Sequence, residues 1–399
     1  MSSPNSSPVS GPGSARWVQV PKRRRTKLVA TLPRDGVDEA LVGRYLTAGV
    51  NLVRIEVRAG DRERVQQVYT AVRTAAHNAR NPIGVIADLG AVVLDEARRS
   101  DIAFLSELGV DYMAVVHGPD AATISDVRES LPEGGTQTVL AHITTAAALT
   151  AAEDLIEAAD GLIIDVDGEA AERADEAGGG RIAPEDLPVV QRHLLALARS
   201  RGRPCIVTAV RSGVAGAGAT TDVEVADVAT AVLAGADAVM LGAGTSLDAT
   251  IEALQVADAV ARRLEADLAE GSEDASVVRS ADHAVVAAAV QLARDLDAGA
   301  IVVQPSEHSG LIARALSAAR PGVPIVGLAL TLPGMLQQSM LWGVIPRWVR
   351  PDELGDADAL ATMVARQLDV GGGSGRIISV DGVGTPETDI PPRLTVLSI

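Results

Sequence analysis

Lysine is nearly missing from this chain: among 399 residues only Lys22 and Lys27 occur. Any mechanism that needs a lysine elsewhere is thereby excluded. Cysteine is limited to Cys205, which rules out an intramolecular disulfide and a cysteine-built zinc cluster. Phe104 is the only phenylalanine, and aromatic residues make up 2% of the chain. The matching abundance of Ala, Val and Gly looks like coding bias and says little about function. No apolar run reaches the length of a bilayer crossing, so no membrane partner is expected. Basic residues are outnumbered, 35 Lys and Arg against 52 Asp and Glu, and the net charge of −17 argues against a nucleic-acid partner. The one basic run, Lys22 to Arg25, reads as a solvated entry to the first strand. The opening MSSPNSSPVSGPGSARW is polar and lacks the apolar stretch of a signal peptide. Residues 1–25 therefore read as a disordered tail, and a cytoplasmic location is expected.

What is present points to a globular α/β chain. Hydrophobic residues make up 47% of the composition, and the length suits two or three domains. From about residue 26, short β-branched runs alternate with longer stretches of helical period. The first eight strand candidates are 26–32, 51–57, 83–89, 112–117, 138–143, 161–167, 204–210 and 238–243. Eight strand–helix units in about 240 residues fit a (β/α)8 TIM barrel over 26–268. An open Rossmann sheet alternates similarly, but a GxGxxG turn usually follows its first strand; here that turn is LPRDG. The polar stretch 269–281 reads as a linker. Beyond it, strand candidates at 300–304, 324–330, 343–349, 376–380 and 393–399 predict a smaller C-terminal α/β domain over 282–399.

Several segments resemble pyruvate kinases. They are RRTKLVATLP, AGVNLVRIEVRAGD, ADGLIIDVDG, RIAPEDLPVVQ, GRPCIVTAV, VEVADVATAVLAGADAVML, SGLIARALSAARP and LWGV, and they occur in family order. The resemblance implies a barrel, a C-terminal domain, and a mobile lid domain inserted after barrel strand 3. Here only about ten residues follow Asp88 before the next helix, so the lid is expected to be missing. The resemblance also implies catalytic groups at the C-terminal strand ends, and many of these differ. His142 stands at the strand-5 lysine position and Thr144 at the metal-binding glutamate. The strand-6 metal aspartate falls near Gly168, with Asp165 and Asp167 close by. Glu56 and Arg58 occupy the strand-2 potassium-ligand positions. Asp88 is followed by Leu89 and Gly90, and strand 7 ends Thr208, Ala209, Val210. Arg54 and Asp88 match.

On this count the chain is expected to have lost phosphoryl transfer, which depends on metals and cations bridging the phosphates. The favoured reading is a repurposed lyase, hydratase or cyclase acting on a small acidic metabolite. The alternative is a non-catalytic pseudoenzyme with a regulatory or partner-binding role; authentic pyruvate kinase ranks third. His117, His142, Glu56 and Asp88 are the candidate acid–base residues, and Arg54, Thr144 and Arg211 the substrate contacts. Asp165 and Asp167, with His117 and His142, are candidate ligands for a divalent metal. His117, His142 and an aspartate of strand 6 are expected to converge, with Arg54 and Asp88 across the pocket. In the C-terminal domain the resemblance implies an effector loop; Ser306, Ser309 and Gly310 are its candidates, with a plain helix cap as the other reading. The family also implies a homo-oligomer, a tetramer or dimer.

Overall fold

The computed structural model describes residues 24–91, 94–116, 121–165, 183, 185–210, 222–242, 246–268, 281–306, 309–382 and 393–399. The expected tail at 1–25 and linker at 269–281 fall almost wholly outside these residues.

Eight parallel strands close a barrel in sequence order. They are β1 (Lys27–Thr31), β2 (Leu52–Glu56), β3 (Gly84–Ala91), β4 (Tyr112–Val116), β5 (Thr138–Ile143), β6 (Gly161–Ile164), β7 (Cys205–Val210) and β8 (Ala238–Leu241). The helices around them are α1 (Glu39–Thr47), α2 (Arg62–Ala79), α3 (Glu96–Leu108), α4 (Ala121–Glu129), α5 (Ala146–Thr150) and α6 (Ala152–Ala158). Then follow α7 (Leu187–Ser200), α8 (Asp222–Leu233) and α9 (Leu247–Leu268). Only 92–95 lie between β3 and α3, which leaves no room for an inserted domain there.

The strands are buried on both faces, which is why they read as continuous apolar runs. Outward residues such as Leu28, Val53 and Val85 join the helix layer in one core. Inward residues form a second cluster: Val29, Leu52, Ile86, Tyr112, Leu140, Ile163, Ile206 and Met240 fill the barrel interior. Aspartate caps start the helices; Asp38 and Asp95 accept the amides of Leu41 and Arg98, both at 2.8 Å.

The floor of the barrel repeats one device four times. Asn51, Asp111, Asp160 and Asp237 each stand immediately before an even-numbered strand. Each side chain accepts the first amides of the preceding odd strand: Leu28 N at 3.0 Å, Val85 N at 2.7 Å, Val139 N at 2.9 Å and Cys205 N at 2.8 Å. Each also faces an arginine: Arg24 at 2.6 Å, Arg73 at 2.8 Å, Arg128 at 2.7 Å and Arg320 at 3.1 Å.

The second unit is a five-stranded sheet of order β11-β10-β9-β12-β13. Its strands are β9 (Ala300–Val303), β10 (Ile325–Ala329), β11 (Val344–Trp348), β12 (Arg376–Asp381) and β13 (Arg393–Ser398), with only the last pair antiparallel. Its helices are α10 (Ala281–Asp295), α11 (Ser309–Ala318), α12 (Leu332–Leu336) and α13 (Ala357–Leu368). The segment after α12 closes the barrel floor. Met340 joins the interior cluster, its amide meets Tyr112 Oη at 3.3 Å, and that hydroxyl donates to Leu336 O at 3.1 Å. Gly161 makes room for this plug, since a Cβ there would lie 2.8 Å from Pro204 O and 3.0 Å from Met340 Cε. Among the described residues, no helix is long and apolar enough to cross a membrane.

Candidate active site at the barrel mouth

Alternation along each strand decides which side chains reach the mouth. Val29, Leu52, Ile86, Leu140, Ile163 and Ile206 point inward. Two residues further on are Thr31, Arg54, Asp88, His142, Asp165 and Thr208. These six form a polar layer above the apolar filling, at the C-terminal ends where TIM barrels place their chemistry.

Arg54 and Asp88 are the anchor of this layer. Arg54 Nε donates to Asp88 Oδ2 at 2.6 Å, and its NH2 nitrogen lies 2.6 Å from the same oxygen. Asp88 Oδ1 accepts the Gly90 amide at 2.9 Å, in a turn where Gly90 takes a φ of 67°. Arg54 also reaches Thr31 Oγ1 at 3.4 Å and Glu56 Oε1 at 3.5 Å. Burial alone would push the Asp88 carboxyl up, but Arg54, His142 and the Gly90 amide together hold it below its ordinary value. Burial likewise works against the Arg54 charge, and Asp88, Glu56 and Asp165 more than offset it, so its pKa is raised.

His142 lies between two carboxylates. Its Nδ1 is 3.9 Å from Asp88 Oδ2 and its Nε2 is 3.5 Å from Asp165 Oδ2. It reaches Asp88 across β4, whose Ala114 is the register partner of Asp88 and has only a methyl to offer. His142 is fully buried, yet neither ring nitrogen has a hydrogen-bond partner among the described residues. Thr144 Oγ1, Asp165 Oδ1 and Thr208 Oγ1 are unpartnered too. Each such atom costs about 1–3 kcal/mol when left dry. Five of them gather in one mouth among the described residues.

The structure thus brings together Arg54, Glu56, Asp88, His142 and Asp165, with Thr144 buried just above His142. His117, Asp167 and Arg211 lie outside the described residues. Two of the four candidate metal ligands, His117 and Asp167, are therefore not placed, and the other two, His142 and Asp165, lie 3.5 Å apart. The sequence reading missed Thr31 and named Thr208 at the end of strand 7 without making it a candidate, although its own alternation rule places both inward. Among the described residues no group of three or more His, Cys, Asp or Glu is arranged to hold a metal ion. In the C-terminal unit Ser309 opens α11 and its amide meets Ser306 O at 3.2 Å.

Residues 88–249 match the family pattern of the pyruvate kinase barrel domain, and 283–389 that of the pyruvate kinase alpha/beta domain. The chain belongs to the pyruvate kinase family. It is 30% identical over 272 residues to a pyruvate kinase of Agrobacterium vitis, covering 66% of this chain and 53% of that protein. It is 27% identical over 343 residues to the pyruvate kinase of Bacillus licheniformis, covering 84% of this chain and 55% of the relative. With the pyruvate kinase of Dictyostelium discoideum the identity is 28% over 309 residues, 73% of this chain and 58% of the other. The chain therefore spans about half the length of the curated relatives it matches. These matches overturn the expectation of lost phosphoryl transfer, and with it the lyase and pseudoenzyme readings. Both domain patterns are present and the relatives carry the name pyruvate kinase. The error was to let substitutions at single positions decide the activity of a whole pocket.

Proposed function

We propose that this chain is a pyruvate kinase, moving a phosphoryl group between an enolpyruvate and a nucleoside diphosphate at the barrel mouth. The observation that carries this reading is the buried Arg54–Asp88 pair, held at 2.6 Å beside polar atoms that have no hydrogen bond among the described residues. These two residues are also the positions at which the family resemblance is kept. Phosphoryl transfer asks mainly for positioning and for charge stabilisation on the phosphoryl oxygens. Arg54, fixed by Asp88, presents an oriented guanidinium to a phosphate or carboxylate. His142, Thr144 and Thr208 supply further polar contacts where the resemblance expects a lysine and a carboxylate. Relief of their missing hydrogen bonds favours a polar, anionic substrate over an apolar one.

The test is pyruvate formation by the purified protein from phosphoenolpyruvate and ADP with magnesium and potassium, followed through lactate dehydrogenase. Turnover is expected, and Arg54→Lys should lower kcat/KM by about 100-fold, because an ammonium cannot reproduce the planar fork. A folded protein that makes no pyruvate above background would sink this reading.

The same reading makes the chain a cytoplasmic homo-oligomer acting on a small acidic metabolite. Support for assembly comes from Leu233 at the end of α8 and Leu247 at the start of α9, which are exposed. A monomer mass by light scattering at micromolar concentration would count against it.

A further inference from the structure

A second polar cleft lies at the opposite end of the barrel, where the floor meets the C-terminal domain. Its volume is about 420 Å³, within the range of small-ligand sites. Arg128, Thr136, Thr138 and Asp160 line it from the barrel, and Arg314 and Gln337 from the C-terminal domain.

The charges in this cleft do not balance. Asp160 is its one carboxylate, and it is already committed: Oδ2 accepts the Val139 amide at 2.9 Å and meets Arg128 at 2.7 Å. Arg203 approaches the other oxygen, at 3.8 Å. Arg314, on α11, has no ion pair within 4.0 Å among the described residues, and its Nε is buried without a hydrogen-bond partner. Burial lowers the Arg314 pKa from its ordinary value; Asp160 opposes this, while Arg203 and Arg128 add to it. Two guanidinium groups, Arg128 and Arg314, thus line the cleft with one carboxylate, leaving an excess of one positive charge, with Arg203 close behind Asp160. A guanidinium held among other cations without its own acceptor is costly, and a bound anion would relieve it.

The geometry points to a binding site for a small phosphorylated metabolite in this cleft. A phosphate monoester supplies the negative charge that the cleft lacks. Its oxygens match the arginine forks, and the Thr136 and Thr138 hydroxyls lie beside them. The ligand would also join the two domains. Arg314 and Gln337 come from one side, Arg128 and Thr136 from the other, and Gln337 already donates to Thr136 O across the seam. Occupancy should therefore tighten the docking of the 336–344 plug into the barrel floor, at a distance from the mouth. The site is independent of the mouth residues, so its test does not depend on turnover.

The experiment is calorimetric titration of the full chain with glycerol 3-phosphate, with glycerol as the uncharged control. Saturable binding is expected for the phosphate ester and none for glycerol, with a ligand-dependent rise in Tm. Arg314→Met should weaken binding by about 10-fold or more, since it removes a buried charge partner. Its basal pyruvate formation should stay unchanged. Should Arg314→Met fail to fold, Arg128→Gln on the barrel side is measured instead, and the same weakening is expected. Absence of saturable binding to the wild type would overturn the proposal. So would wild-type affinity in the folded variant, which would place the anion elsewhere, such as the mouth.

Discussion

The two ends of the barrel treat buried polar groups in opposite ways. At the floor, Asn51, Asp111, Asp160 and Asp237 each accept a strand amide and face an arginine, so their side chains are committed. At the mouth, His142, Thr144, Asp165 and Thr208 keep polar atoms without a hydrogen bond among the described residues. The floor carboxylates nevertheless carry a cost: burial pushes the Asp111 and Asp237 carboxyls up, in spite of Arg73 and Arg320. At the mouth Arg54 holds Asp88 down. The floor closes the barrel and docks a second domain; the mouth stores unsatisfied polarity that a ligand can use. On the proposed function, stability and chemistry are separated along one axis, as the barrel architecture allows.

This contrast is most easily broken at the floor. Asp237→Ala should orphan the Cys205 amide and leave Arg320 buried without its carboxylate. A loss on the order of 3–5 kcal/mol is expected from removing one partner of a buried pair. Urea unfolding would measure it; a loss below 1 kcal/mol would mean that the repeated device is not structural.

Lys27 gives a smaller, pH-dependent effect at the same end. Its Nζ donates to Val344 O at 2.6 Å, and burial, reinforced by Arg24, pushes its pKa from 10.5 down to about 7. Below that value both folded and unfolded chains bind the proton, and the folded state bears the full cost of burying the charge. Between about 7 and 10.5 only the unfolded chain stays protonated. Folding stability should therefore rise with pH across this window, by at most about 1.4 kcal/mol per pH unit. Lys27→Met should lose that slope. Equal slopes in the two proteins would show that the amine is not titrating there.

Thr208→Val sharpens the contrast with the least perturbation. It removes an unpartnered hydroxyl at nearly constant volume, so stability should shift by less than about 1 kcal/mol, or rise. Pyruvate formation should fall several-fold. A destabilisation as large as that of Asp237→Ala would erase the distinction between the two ends.

The fold was legible in the sequence because parallel strands buried on both faces leave long apolar runs between turn residues. TVLAHI became β5 without a change at either end, whereas GLIIDVD ends as a strand at Ile164. β3 runs on to Ala91, past an irregularity in its pairing with β4 between Asp88 and Ala91, which no local propensity signals. Charged and imidazole residues of the mouth stood out because such groups are rare beside apolar strands. Thr31 and Thr208 did not, since a threonine on a strand is unremarkable until its parity is counted from Val29 and Ile206. The floor device was also readable: an acid or amide follows a small residue or valine in GVN, GVD, AAD and GAD, each just before an even strand. It was passed over because its partners lie 21 to 38 residues away in sequence, or in another domain. The activity was misjudged for a physical reason as well. The residue at a strand end states which group is available, while the work of a pocket depends on how several groups are held together.

The measurement that tests the central claim most directly pairs stability with turnover in one variant, His142→Leu. The imidazole is fully buried and makes no hydrogen bond among the described residues, its Nε2 lying 3.5 Å from Asp165, so a leucine of similar bulk should leave Tm unchanged or raise it. Pyruvate formation should fall by about 100-fold, because the leucine cannot interact with the phosphoryl oxygens or with Asp165. A variant that loses stability yet keeps its activity per folded molecule would contradict the account: His142 would then belong to the scaffold, and the mouth would not be the site of chemistry.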